Sequence, residues 1–162
     1  DTFLKTHGAY NQHSKRHNQF ALWLKERNIN YVDISGSAEN LISYYNQVDL
    51  HIGYRVHAHI FMNSISKLSV LIAEDGRAKG TRLVIGGMVV DGFKRIKSGI
   101  VTKIMKKILP KYDTYVANEE TGNDIIKQIQ YEFLSNGHRS HVSRKKIDEN
   151  FKIMKKFIEL LP

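Results

Sequence analysis

The sequence predicts an α/β protein, with a parallel sheet flanked by helices and a helix-rich carboxyl-terminal third. Three observations support this fold class. Short apolar segments of strand type alternate with segments of helical periodicity, which is the pattern of βαβ units. The 162 residues suffice for a domain with its own core. No linker rich in Pro, Gly or Ser divides the chain, so we expect one domain over residues 1–162.

The chain begins with an amphipathic helix followed by a strand. Within residues 13–27, Phe20 and Leu24 lie four positions apart with Trp23 beside them, which predicts a helix. Residues 29–34 then alternate apolar and polar side chains, as half-buried strands do.

Two more helices and a second strand follow. Ser37 can cap a helix over residues 38–47, and residues 48–53 form a short strand that ends in glycine. Apolar residues then recur at the i, i+3, i+4, i+7 spacing from Ala58 onward. This spacing predicts a buried helix that starts shortly after the glycine.

A third, well-buried strand is predicted at residues 68–73, where the side chains are mainly apolar. We expect this strand and the two before it to lie in one parallel sheet. Residues 81–93 allow either a broken strand over 83–90 or a short helix followed by a strand at 88–91. We prefer the second interpretation.

The last third of the chain shows three helical patterns. Isoleucines recur every fourth residue over 100–108, and Thr121 can cap a helix that carries Ile125. Apolar residues spaced along 147–161 mark a long terminal helix.

Composition excludes several classes of protein. The chain has no cysteine, which excludes a disulfide scaffold and a thiolate metal site. No apolar run approaches the roughly 18 residues that a membrane span needs. The formal net charge is +9, with most of the excess after residue 91. Such a balance suits anionic partners, but solvated lysines on amphipathic helices are the commoner explanation.

Cations follow two neighbouring strands of the predicted sheet. Arg55 and His57 stand where the strand at 48–53 gives way to a helix, and Arg77 and Lys79 follow the strand at 68–73. Helix N-termini at this edge of an open α/β sheet favour anions. Arginine pairs with two oxygens of a carboxylate or phosphate, and histidine can exchange a proton near neutral pH. We therefore predict an anion site here.

These residues also carry a family resemblance. Arg55-Val56-His57 matches the Arg-Leu-His triplet of the polysaccharide pyruvyl transferase family, with Val in place of Leu. The segment Asp75 to Gly80 matches that family's Asp-Pro-Lys-x-x-Gly motif, with Gly for Pro and Arg for Lys. The stretch from Val48 to Gly80 resembles the central signature of this family.

The resemblance implies a Rossmann-like domain, expected to be the carboxyl-terminal half of a longer GT-B-like enzyme of the cytoplasm. That enzyme would transfer a pyruvyl group from phosphoenolpyruvate to a glycan in polysaccharide biosynthesis. By resemblance, Arg55, Val56, His57, Arg77 and Lys79 bind the donor, and His57 is the catalytic acid. We expect no metal and no cofactor.

Two other functions fit the same residues. A nucleotide-sugar glycosyltransferase of GT-B architecture would also place cations at helix N-termini to bind a diphosphate. Basic clusters at Lys103, Lys106, Lys107 and Lys111 and at residues 144–146 suit a nucleic-acid-binding domain. We expect no specific nucleic-acid partner and no transmembrane segment, and basic helices suited to peripheral contact with a membrane.

Overall fold

The computed structural model describes residues 2–5, 11–95 and 115–161. The chain forms two compact units, Asp1–Val48 and Asp49–Pro162. One domain over residues 1–162 stays a prediction. The helix predicted over 100–108 and the lysine cluster at 103–111 lie outside the described residues.

The first unit is a βαβ arrangement followed by a helix. Its elements are β1 (Thr2–Lys5), α1 (Asn11–Glu26), β2 (Asn30–Asp33) and α2 (Ala38–Tyr45). Strands β1 and β2 pair in parallel, with Phe3 opposite Tyr31. The predicted cap of α2 is confirmed, because the Ser37 hydroxyl accepts a hydrogen bond from the Asn40 amide at 3.1 Å.

The second unit contains a three-stranded parallel sheet. Its first five elements are β3 (Leu50–Gly53), α3 (Val56–Ser64), β4 (Leu68–Ala73), α4 (Gly76–Val84) and β5 (Met88–Asp91). The strand order is β3-β4-β5. The α/β fold class is confirmed, and so is the preferred interpretation of residues 81–93, because a helix precedes a strand at 88–91.

The predicted partners of the strand at 29–34 are wrong. Among the described residues, this strand (β2) pairs with β1, and the third strand of the larger sheet is β5. Each sheet is joined through its own crossover helices, α1 in the first unit and α3 and α4 in the second. Periodicity indicates that a segment is a strand, but it does not show which strand lies beside it.

Strands β4 and β5 of the second unit are covered on both faces, as their near-continuous apolar sequences require, whereas Leu50 and Ile52 of β3 are exposed. On one face Leu71, Ala73 and Val89 pack with Ala78 of α4 and with Val56 of α3. On the other face Val70, Met88 and Val90 form a second cluster. The strand β4 therefore contributes alternate side chains to two apolar clusters, and four of its six residues are buried.

The remaining described residues of the second unit include a short strand pair and two helices: β6 (Phe93–Arg95), β7 (Tyr115–Ala117), α5 (Thr121–Leu134) and α6 (His138–Ile158). Strands β6 and β7 pair antiparallel. Helix α5 packs Ile125 and Ile129 on the sheet. Thr121 does not cap α5 as predicted, since the N-cap residue is Glu120. Its hydroxyl instead bonds the main-chain oxygens of Asp91 and Asn118, at 3.0 and 2.7 Å.

A buried carboxylate fixes the corner between α5 and α6. Glu132 is only 1% exposed, and its carboxylate oxygens accept the main-chain N–H groups of Arg139 and Ser140 at 3.2 and 2.7 Å. These N–H groups belong to the first turn of α6 and have no acceptor within the helix. Glu132 therefore caps α6 from the neighbouring helix.

A serine hydroxyl shared by two histidines joins α3 to the sheet. The Ser69 Oγ lies 2.9 Å from Nδ1 of His51 on β3 and 2.8 Å from Nδ1 of His59 on α3. A hydroxyl both donates and accepts, so it can donate to one neutral imidazole and accept from the other. All three side chains are buried. These hydrogen bonds stabilise the fold, because a buried polar atom without a partner lowers the free energy of unfolding.

Gly87 leaves room for this buried group. A Cβ at Gly87 would lie 3.0 Å from His59 Nε2 and 3.1 Å from Ser143 Oγ of α6. Its φ of 84° also lies in the left-handed region that side chains disfavour. Glycine at this position therefore allows α3 and α6 to approach the start of β5.

We predict that Ser69→Ala lowers the free energy of unfolding by about 1–3 kcal/mol, because it leaves the Nδ1 atoms of two buried imidazoles without their shared partner. Urea unfolding monitored by circular dichroism measures the change. Ser43→Ala, at an exposed position on α2, is the control and should change stability by less than about 0.5 kcal/mol. Equal stability of the two variants would show that the shared hydroxyl contributes nothing.

A second prediction concerns pH. Burial lowers the pKa of His51 and of His59 from 6.5 to about 4, and the neighbouring His59 adds to the effect at His51. Between these values the unfolded chain binds protons that the folded chain does not, so stability decreases as pH falls. We expect the free energy of unfolding to decrease steadily from pH 7 to pH 5, in urea titrations at constant ionic strength. A constant value over this range would contradict the prediction.

Candidate functional site

The predicted site lies at the carboxyl edge of the three-stranded sheet. Strands β3 and β4 are parallel neighbours, with Gly53 of β3 opposite Leu71 of β4. Helices α3 and α4 begin directly after these strands. Their N-termini are therefore at the same edge, as the sequence predicts.

The start of α3 has no side-chain cap. Arg55 is the N-cap residue, in an extended conformation, and makes no side-chain hydrogen bond to the helix. A guanidinium has no acceptor atom and cannot bind the N–H groups of the first turn. The first turns of α2 and α4, in contrast, are capped by Ser37 and Asp75. The first turn of α3 thus leaves N–H groups for another acceptor, and these groups favour anions.

The three residues of the Arg-Val-His triplet have different surroundings. Arg55 is half-buried and His57 is exposed. Val56 packs against the apolar cluster of Leu71 and Ala73. Val56 therefore holds the start of α3 on the sheet, while the two polar residues of the triplet are accessible to solvent.

The start of α4 is arranged differently, because an acidic side chain already occupies it. The Asp75 carboxylate accepts the main-chain N–H of Arg77 at 2.9 Å and that of Ala78 at 3.3 Å. The same carboxylate binds the Arg77 guanidinium, with Nε and Nη2 each 2.7 Å from Oδ2. These hydrogen bonds lower the pKa of Asp75 and raise that of Arg77.

An anion at α4 would therefore compete with a carboxylate of the chain itself. The Arg77 side chain is 79% exposed, so its pairing with Asp75 is a surface ion pair of small net energy. Lys79, one turn into the helix, is exposed as well. Arg77 could turn toward a ligand at modest cost, but two N–H groups in the first turn of this helix already bond the Asp75 carboxylate.

The third strand end at this edge, that of β5, carries an aspartate that is paired with an arginine. Asp91 pairs with Arg82 of α4 at 3.2 Å, and the same guanidinium donates to the Val89 carbonyl at 3.0 Å. The end of β4 leads to a helix whose first turn is already capped by Asp75, whereas the end of β3 leads to a helix without a side-chain cap. The start of α3 is accordingly the best candidate for anion binding.

The two histidines near the start of α3 have different environments. His57 is exposed, whereas His59 is fully buried and hydrogen bonded to Ser69. Residues two apart on a helix point in different directions, so the pair does not form a metal site. No group of three His, Asp or Glu side chains in the described part of the chain is arranged to hold a metal ion.

The basic cluster at residues 144–146 lies on α6. Arg144 forms an ion pair with Asp148, with Nε 2.9 Å from Oδ2. Lys145 is exposed, and Lys146 is half-buried with its Nζ near Gly86. Part of this charge is therefore neutralised or directed at the sheet, which weakens the case for a nucleic-acid surface at this cluster.

Two features of this edge were not predicted from the sequence: the capping of α4 by Asp75 and the ion pair of Asp91 with Arg82. Asp75 was grouped with the motif of the second strand end, but its role as cap of α4 and partner of Arg77 was not predicted. An Asp followed by a helix is itself a signal of an N-cap. The pairing of Asp91 with Arg82 had no comparable signal, because the two residues meet only through the turn from α4 into β5.

Comparisons of the chain with protein-family models, with curated proteins and with solved structures find no match. A functional assignment must therefore start from the side chains at the carboxyl edge of the sheet.

Proposed function

We propose that this chain is the donor-binding part of a transferase that moves a pyruvyl group from phosphoenolpyruvate to a sugar of a cell-surface polysaccharide. The observation that carries the proposal is the uncapped start of α3, which presents Arg55 and His57 at the end of β3. The resemblance of residues 48–80 to the polysaccharide pyruvyl transferases supplies the substrate class.

Each side chain has a task that suits its chemistry. Phosphoenolpyruvate carries a carboxylate and a phosphate, and Arg55 can pair with two oxygens of either group. The N–H groups at the start of α3 can donate hydrogen bonds to the same anionic group. Arg77 and Lys79 follow the adjacent strand and can contact the second anionic group of the donor.

The reaction needs one proton delivered to carbon and one leaving group stabilised. His57 protonates the methylene carbon while a sugar hydroxyl adds to the neighbouring carbon of the enol phosphate. A second hydroxyl of the sugar then displaces inorganic phosphate, which gives a pyruvate ketal. Arginine stabilises the charge on the departing phosphate, which is the kind of electrostatic assistance that contributes most to such steps.

A nucleotide-sugar glycosyltransferase is the nearest alternative. Its donor carries a diphosphate, which the same N–H groups and Arg55 could bind. Such an enzyme has no need for a proton donor to a methylene carbon. The two functions therefore differ in their dependence on His57.

We predict that Arg55→Ala weakens the binding of phosphoenolpyruvate at least tenfold, about 1.4 kcal/mol, because it removes a charge-assisted pair of hydrogen bonds. Isothermal titration of the purified chain measures the affinity. Arg139→Ala is the matched control, since Arg139 lies at the start of α6 with its guanidinium over the Tyr131 ring.

Equal affinities of the Arg55 and Arg139 variants would show that Arg55 takes no part in binding. Nucleotide sugars and duplex DNA are titrated in parallel with phosphoenolpyruvate. Preference for a nucleotide sugar would assign the chain to the glycosyltransferases. Salt-sensitive binding of DNA, with neither small ligand bound, would exclude both enzymatic functions.

A further prediction uses the two histidines of α3 as a matched pair. In the complete protein, His57→Gln should abolish transfer from phosphoenolpyruvate and leave the Tm unchanged, because His57 is exposed. His59→Gln should lower the Tm, because His59 is fully buried and bonded to Ser69. Transfer assays and thermal melts of both variants make the comparison. Full activity of the His57 variant would rule out its role as the acid.

A further inference from the structure

Helix α6 changes its surroundings halfway along its length. In its first half Ser140 and Ser143 are buried. From Glu149 to Leu161 every side chain is exposed. Large apolar side chains are concentrated in this second half, and each is at least half exposed: Phe151 55%, Ile153 69%, Met154 52%, Phe157 63% and Ile158 53%. We call these five residues the distal face.

The distal face is broad and continuous. At about 100° per residue, its side chains cover an arc of roughly 160° around the helix. Asn150 also lies within this arc, and its amide donates to the Lys146 carbonyl at 2.9 Å. Leu160 and Leu161 extend the apolar surface just beyond the end of the helix, at 83% and 56% exposed. An exposed apolar patch of this kind marks a binding surface.

The breadth of the face argues against a paired helix as its occupant. A two-helix seam uses two apolar positions in seven, and charged residues normally border it. Here Phe151, Ile153 and Ile158 are apolar at positions that border a seam through Met154 and Phe157. A wide apolar arc is instead the pattern of a helix that lies in the surface of a bilayer.

Lysines stand on both sides of the distal face. By the same geometry Lys155 follows Phe151 at one border, where its Nζ also lies 3.7 Å from Oε1 of Glu159 in an exposed ion pair of small net energy. Lys156 precedes Ile153 at the other border, together with Glu149. Side chains of this length can keep their charge in water while their methylene groups lie along an apolar surface. Helix α6 as a whole has seven Lys and Arg residues against two Asp and Glu. The charge is thus complementary to anionic lipid headgroups.

We propose that the distal face of α6 binds the surface of an anionic lipid bilayer, with the helix lying parallel to the membrane. Phe151, Met154, Phe157 and Ile158 enter the boundary between headgroups and acyl chains, and Lys155 and Lys156 contact lipid phosphates. No helix in the described residues has the length and apolarity to cross a bilayer. No residue of the distal face belongs to the proposed anion site, so either proposal can fail without the other.

Co-sedimentation with vesicles tests the proposal. We expect the chain to bind vesicles that contain phosphatidylglycerol, to bind phosphatidylcholine vesicles at least tenfold more weakly, and to dissociate as salt is raised. The double variant Ile153→Ser and Phe157→Ser should lose binding to both. Lys155→Gln with Lys156→Gln should lower affinity for the anionic vesicles alone.

The control variants carry the same types of substitution, an apolar residue to serine and a lysine to glutamine, at exposed positions outside the distal face. Leu83 of α4 is 83% exposed, and Lys127 lies on α5 with its side chain 71% exposed. Leu83→Ser and Lys127→Gln should bind vesicles like the unchanged chain. Circular dichroism verifies that each variant keeps its helix content, which exposed substitutions should not alter.

Three results would overturn the proposal. The chain could fail to bind anionic vesicles. Binding could fall equally in the Leu83 and Phe157 variants, which would show unspecific adhesion. Light scattering could reveal a dimer that the substitutions at Ile153 and Phe157 dissociate, which would identify the distal face as a contact between two copies.

Discussion

The hydroxyl of Ser69, held between two imidazoles, sets the position of α3 on the sheet. His51 and Ser69 lie opposite each other on neighbouring strands, and His59 reaches the same hydroxyl from the helix. Buried polar groups tolerate few arrangements in which all their hydrogen bonds are made. The helix is therefore held at a defined register along β3 and β4, which an apolar contact alone would not specify.

The geometry of the candidate site depends on this buried group of Ser69, His51 and His59. Arg55 and His57 precede His59 by four and two residues on the same short helix. Once His59 is fixed, the start of α3 is placed at the end of β3, and His57 is directed to solvent. The residues proposed for chemistry are thus positioned by a residue that takes no part in it. Gly87 belongs to the same arrangement, since a side chain there would displace His59 or Ser143.

Much of the fold could be predicted because local patterns were strong. The strand at 68–73 has its predicted bounds, and Ser37 caps α2 as expected. The pairing of strands was harder to predict from the sequence, because the pairing of β2 with β1 depends on contacts between segments distant in sequence. The cap of α5 was misplaced by one residue, since the Thr121 hydroxyl finds two main-chain acceptors instead of a helix N–H. The position of Arg55 and His57 followed from the strand-to-helix turn, but the ion pair of Asp75 with Arg77 required knowledge of side-chain conformation.

The buried cap at the corner between α5 and α6 has a mechanical consequence. Glu132 of α5 accepts hydrogen bonds from two N–H groups in the first turn of α6. These hydrogen bonds help to fix the angle between the two helices. The exposed helical part from Glu149 to Ile158 spans about 15 Å, at a rise of 1.5 Å per residue. A partner that binds this exposed part of α6 therefore also constrains the orientation of the three-stranded sheet, because the start of the helix is hydrogen bonded to α5 and α5 packs on that sheet.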